Sequence, residues 1–174
     1  DGDCSAIGGN HLIHASRRNI DITTIVYNNN IYGMTGGQYS PTTPKGDKGT
    51  TAPYASIDTD FDLCNLTAGA GATYVGRATV FNPKLIVKLI ENGIKNKGFS
   101  FIETVTTCPT YYGRKNKKGS AVDMMRYLKD NSINIEAAKN LEADKLKDKI
   151  IVGELYKNIR PEYTDEYTKI VDSF

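Results

Sequence analysis

Asp1-Gly2-Asp3 opens the chain, and Ile25-Val26-Tyr27-Asn28-Asn29-Asn30-Ile31-Tyr32-Gly33 follows after one helical and one extended segment. These two stretches decide the fold. Residues 3–18 carry Ala6, Ile7, Leu12, Ile13 and Ala15 and predict a helix. Arg17 and Arg18 stand near its end, where cations complement the helix dipole. Gly8-Gly9 lowers intrinsic helicity and predicts close approach to a neighbouring backbone. Residues 20–27 are β-branched and nearly continuously apolar, which predicts a buried parallel strand ended by the asparagine run. A carboxylate and a carboxamide thus arrive at one edge of a parallel sheet, the edge where open α/β folds bind ligands.

Further along, 33–51 is a long irregular stretch rich in Gly, Pro and Thr, of a length that is usually functional or disordered. A helix over about 60–70 is predicted, capped by Thr59 or Asp60. A short strand follows at 72–78. Asn82-Pro83 starts another helix, with Asn as cap and Pro at the first position. Its apolar stripe is Leu85, Ile86, Leu89, Ile90 and Ile94, and Gly98 stops it. Residues 99–105 read as a strand, with Cys108-Pro109-Thr110-Tyr111-Tyr112-Gly113 directly after it. Residues 121–129 read as a helix, 134–142 as a further candidate helix and 161–171 as a short one; 150–156 suits an edge strand or a docking segment. Alternation of helix and strand predicts an α/β fold, a mainly parallel sheet with helices on both faces. Residues 1–130 form the ligand-binding α/β domain in this reading, and 131–174 a C-terminal helical tail.

The 174 residues suffice for one domain with a real core. The hydrophobic fraction of 39% and charged fraction of 24% are those of globular chains. A net charge of +2 supplies no strong field for nucleic acid. No apolar run is long enough to span a membrane. The three cysteines, Cys4, Cys64 and Cys108, are widely spaced and include no CxxC, which points to a reducing, cytoplasmic setting. The start at Asp1, in the middle of a motif and without Met, reads as a missing N-terminal part.

Asp1-Gly2-Asp3 has a plain reading as a turn with a helix cap, and the asparagines one as loop residues. Together they have a sharper one. A strand-end acid, a glycine allowing close approach, a helix N-terminus and a strand-end Asn one βαβ unit later suit a divalent cation held against a diphosphate. His11 and His14 read as ordinary helix histidines, since no third ligand converges on them. Cys108 reads as a small buried hydrophobe by type, yet it stands on the ligand edge of a strand. The basic residues Arg114, Lys115, Lys117 and Lys118 suit a solvated loop, an acidic protein partner or substrate carboxylates.

The same stretches resemble the thiamine diphosphate motif, Gly-Asp-Gly followed after a helix and a strand by an Asn pair. More closely, Asp1–His11, Tyr27–Gln38 and Cys108–Arg114 resemble the β subunit of the 2-oxoacid:ferredoxin oxidoreductases. The resemblance covers most of residues 1–130. It implies a thiamine diphosphate-binding fold and Mg²⁺ held by Asp1, Asn29 and the Ile31 carbonyl. Gly2, Asp3, Gly33 and Met34 would contact the cofactor; Met34 alternatively fills the core. Cys108 matches one ligand of a [4Fe-4S] cluster, completed by cysteines outside this chain. Cys4 and Cys64 match none and read as structural. The implied activity is coenzyme A-dependent oxidative decarboxylation of a 2-oxoacid, with electrons passed to ferredoxin. The 33–38 and 108–114 stretches look most like 2-oxoglutarate-type members. A pyruvate-specific member, or a non-redox thiamine decarboxylase or synthase, is the alternative. An α subunit, with γ and δ as further candidates, is the implied partner. No catalytic residue, including the cofactor-activating Glu, is identifiable. Gly36 stands where some broad-specificity relatives carry a substrate-contacting Lys.

Overall fold

The computed structural model describes residues 1–174. Five strands form one sheet: β1 (Thr23–Asn28), β2 (Tyr74–Thr79), β3 (Ser100–Val105), β4 (Ser132–Asn134) and β5 (Ile150–Lys157). Their order is β1-β3-β2-β5-β4. The first three are mutually parallel, β5 runs antiparallel to β2, and β4 is parallel to β5. The sheet is therefore mainly parallel, as expected.

The helices cover both faces. The first expected helix is two: α1 (Gly2–Ser5) and α2 (Gly9–Arg18). Gly8 makes the break. Its N–H donates to the Asp3 carbonyl at 2.7 Å, and a Cβ there would stand 2.6 Å from that oxygen. The close approach predicted for Gly8-Gly9 belongs to Gly8, since nothing crowds Gly9. α3 (Leu63–Ala70) is capped by Asp62, not by Thr59 or Asp60; Asp62 accepts from the Asn65 N–H at 3.0 Å. With α2 it covers one face of the sheet, where Leu12, Val26, Leu63, Val75 and Phe101 form the main core. On the opposite face α4 (Pro83–Lys95) starts with Asn82 as cap and Pro at its first turn, as expected. Leu89 packs there with Tyr74, Ala78 and Ile102. Ile94 is exposed, contrary to its place in the predicted stripe. Gly93 faces the sheet instead, and a Cβ on it would lie 2.7 Å from Ile102.

Within residues 1–174, the strand predicted to be buried stands at the border of the sheet. Its first residue, Thr23, donates to the Gly93 carbonyl of α4 at 3.1 Å. Ile25 and Tyr27, farther along the same face, are exposed.

Residues 131–174, expected as a helical tail, also complete the sheet. α5 (Ala121–Asn131) begins with a Ser120–Asp123 capping box and runs into β4. α6 (Ile135–Ala138) and α7 (Ala143–Leu146) are single turns before β5, which is an interior strand. α8 (Tyr163–Val171) closes the chain. Asn19, fully buried and left-handed at the end of α2, donates to the Arg160 and Pro161 carbonyls and accepts from the Phe99 N–H. It ties the tail to the body. No helix is long and apolar enough to cross a membrane.

Candidate functional site

The Asp1 nitrogen donates to the Tyr27 carbonyl at 3.0 Å, which fixes Asp1 beside the C-terminal end of β1. Gly2 follows, and a Cβ there would run into the Tyr32 ring. Burial and then Asp3 raise the Tyr32 phenol above its ordinary value. Asp3 itself is exposed on α1.

The asparagine run forms two overlapping side-chain turns. Asn28 Oδ1 accepts from the Asn30 N–H at 3.0 Å, and Asn29 Oδ1 accepts from the Ile31 N–H at 3.2 Å. Asn30 is left-handed, with φ 65°, a conformation Asn tolerates better than most residues. Short polar side chains at these positions thus build a turn that apolar ones could not.

A second turn, at Ser40–Thr43, clamps the first to Asp1. Thr42 Oγ1 donates to Asp1 Oδ2 at 2.7 Å, and Thr43 Oγ1 donates to the Asn30 carbonyl at 2.6 Å. Ser40 closes the turn through its N–H to Thr43 Oγ1 and its hydroxyl to Thr42. Neighbouring threonines therefore hold the carboxylate and the Asn turn together. The length of 33–51 was the only sequence signal for this role; the threonines themselves look like any loop residues.

Ile31 is buried in one cluster with Cys108, Tyr112 and Met124. A Cβ on Gly33 would stand 3.2 Å from Cys108 Sγ. Asp1, Asn29, Ile31, Gly33 and Cys108, five of the residues singled out by sequence, thus share one corner. Met34 is 99% exposed, so it does not fill the core. Cys64 lies in the main core and Cys4 packs against it, and all three cysteines are free. Burial pushes the Cys64 and Cys4 thiols up, which makes them poor nucleophiles. His11 and His14 are exposed on α2.

Under the Asn turn lies a polar network absent from the sequence reading. Glu103 of β3, 3% exposed, accepts from Asn28 Nδ2 at 2.7 Å and from Arg77 Nε at 2.5 Å. Arg77 of β2 also donates to Asp62 at 2.7 Å. Burial opposes the Arg77 charge, but Cys64, Glu103 and Asp62 outweigh it and hold the guanidinium above its ordinary value. On the other side, the Tyr112 hydroxyl donates to Asp47, which also pairs with Lys118 at 3.4 Å. Burial, then the Asp47 hydrogen bond, pushes the Tyr112 phenol up. Between these groups a cleft of about 730 Å³ opens at the C-terminal edge of the sheet, lined among others by Asn28, Asn30, Thr42, Arg77, Glu103 and Tyr112.

No three His, Cys, Asp or Glu side chains are grouped to hold a metal. The polar groups around the Asn turn are instead oxygens, the Asp1 carboxylate, side-chain carboxamides and main-chain carbonyls. Hard oxygens of this kind are the type of donor that suits Mg²⁺.

Residues 1–104 match the family model described as thiamine pyrophosphate enzyme, C-terminal TPP binding domain. The chain belongs to this thiamine pyrophosphate enzyme family. Within it, the 2-oxoglutarate synthase subunit KorB of Methanocaldococcus jannaschii is 54% identical over 172 residues, covering 99% of this chain and 64% of that protein. The subunit of the same name from Archaeoglobus fulgidus is 42% identical and covers 98% and 60%. A solved structure, 2-oxoglutarate:ferredoxin oxidoreductase from Magnetococcus marinus with 2-oxoglutarate, coenzyme A and succinyl-CoA bound, superposes with a TM-score of 0.84 at 28% identity. It covers 99% of this chain and 60% of its own. This thiamine pyrophosphate enzyme chain thus spans less than two thirds of the length of the relatives it matches.

Proposed function

We propose that this chain is part of the β subunit of a 2-oxoglutarate:ferredoxin oxidoreductase, which converts 2-oxoglutarate and coenzyme A to succinyl-CoA and CO₂ and passes two electrons to ferredoxin. The observation that carries this reading is the shared corner: Asp1 and the Asn turn clamped by Thr42 and Thr43, with Cys108 Sγ against Gly33. The names of the relatives supply the substrate class.

Thiamine diphosphate, when bound, supplies the carbanion chemistry. The protein's part is to bind, orient and keep water out. Asp1, Asn29 and the Ile31 carbonyl would hold Mg²⁺ against the diphosphate. Gly2, Asp3 and Gly33 would approach the cofactor closely, and exposed Met34 offers its ring an apolar surface. Cys108 would give one thiolate to a [4Fe-4S] cluster whose other ligands lie outside residues 1–174. All residues given roles precede residue 130, so 1–130 is the cofactor-binding part and the tail completes the sheet. An α subunit completes the active site. The exposed Arg114–Lys118 segment suits an acidic carrier such as ferredoxin. Three cysteines outside any disulfide accord with the cytoplasm.

The test is ferredoxin reduction by the full-length protein with its partner subunit. Reduction that requires both 2-oxoglutarate and coenzyme A is expected. Reduction with pyruvate but not 2-oxoglutarate would overturn the substrate, and decarboxylation without reduction would overturn the redox assignment.

A further inference from the structure

Glu103 lies outside the proposed ligand set, yet it is nearly fully buried and faces the underside of the Asn turn. Its two oxygens are divided. One accepts from Asn28 Nδ2 at 2.7 Å; the other accepts from Arg77 Nε at 2.5 Å, with the Cys64 thiol at 3.4 Å. An ionised carboxylate can only accept, so it meets only the amide end of the Asn28 side chain. The carbonyl end of Asn28 is thereby turned to the Asn30 N–H, where it receives a 3.0 Å hydrogen bond. That bond holds Asn30 in its left-handed conformation, which sets the direction of the chain between Asn29 and Ile31.

We propose that Glu103 is a positioning residue for the divalent cation: it fixes which way Asn28 faces and so aims the Asn29 side chain and the Ile31 carbonyl. The inference rests on the assignment of Mg²⁺ to Asp1, Asn29 and Ile31. Arg77 is the anchor of the chain. It pairs with the Glu103 carboxylate at 2.5 Å and is itself held from the far side by Asp62 at 2.7 Å. Donors and acceptors therefore alternate from Asp62 through Arg77, Glu103 and Asn28 to the Asn30 N–H, and the order cannot be reversed at one position alone.

That polarity supplies the test. Glu103→Gln is nearly isosteric, but Arg77 must face the new carbonyl, so the new amide meets the Asn28 amide, donor against donor. If Asn28 turns over, its amide meets the Asn30 N–H instead. Either arrangement disturbs the turn. Adding Asn28→Asp restores an acceptor facing both the new amide and the Asn30 N–H.

The measurement is the Mg²⁺ concentration that half-saturates thiamine diphosphate binding to the full-length protein with its partner subunit, followed by calorimetry. Glu103→Gln is expected to raise it about tenfold or more, and the double variant to return it to within about threefold of the wild type, the range expected for groups that orient metal ligands. An unchanged value for Glu103→Gln overturns the proposal. So does a double variant still about tenfold weaker than wild type, which stands as the test even if Glu103→Gln alone does not fold. Wild-type binding that needs no divalent cation would instead overturn the metal assignment beneath it.

Discussion

Arg77→Met tests the same network through stability. Methionine keeps much of the buried volume of the arginine stem but removes the guanidinium. Glu103, 3% exposed, then keeps only the Asn28 amide and the Cys64 thiol. Breaking a buried ion pair on one side typically costs about 3–5 kcal/mol, because the remaining charge is left uncompensated. The Asp62 leg adds little, about 0.2–1 kcal/mol, since that carboxylate is 43% exposed. Arg77→Met should therefore destabilise the protein by about 3–5 kcal/mol. Arg77→Met with Glu103→Leu should cost less than Arg77→Met alone, because the stranded charge is gone; what remains is the lost acceptor for Asn28, about 1–3 kcal/mol. Urea denaturation of the full-length β chain, followed by far-UV circular dichroism, measures both. A single-variant cost below about 1 kcal/mol, or a double variant less stable than the single, would refute the reasoning.

Asp1→Asn should weaken Mg²⁺-dependent thiamine diphosphate binding by at least about tenfold, measured by equilibrium dialysis, since it removes the set's only charge. Cys108→Ala should lower iron content and abolish ferredoxin reduction while leaving thiamine diphosphate content unchanged, as metal analysis and cofactor assay would report. At alkaline pH the tyrosines matter. Burial pushes the Tyr74 phenol up to about 12, and burial with Asp47 raises Tyr112 further. A phenol whose pKa is raised on folding contributes stability that is intact below the unfolded value near 10 and is lost as pH rises from there toward the folded value. Unfolding midpoints should thus begin to fall near pH 9, where the unfolded Cys4 and Cys64 thiols ionise, and fall more steeply above about pH 10, and Tyr112→Phe should lessen the fall above pH 10.

Much of the fold was legible because its signals are local. The β-branched run before Asn28, the Asn82-Pro83 start and the stripe of α4 each name an element from nearby residues. The order of strands is not local. Thr23–Asn28 reads the same whether it lies inside the sheet or at its border, and nothing in Ile150–Lys157 announces an antiparallel pairing with β2. The acid–glycine pair and the asparagine run were legible as neighbours, and Asp1 does stand beside the end of β1 that carries the asparagines. The groups that hold them were not. Glu103 and Arg77 look like ordinary charges in strands, and only the register that pairs them shows that they meet. Thr42 and Thr43 are visible only once the long loop folds back onto Asp1.

The most direct test of the central claim is the cofactor content of the full-length protein, purified without oxygen together with its partner subunit. Thiamine diphosphate, magnesium and iron would be quantified in one preparation, and visible absorption followed on adding 2-oxoglutarate and coenzyme A. The account predicts thiamine diphosphate and magnesium in equal amounts, iron at the level of a [4Fe-4S] cluster, and bleaching that needs both additions. Thiamine diphosphate without iron, and no bleaching, would contradict it and leave a thiamine enzyme without redox chemistry.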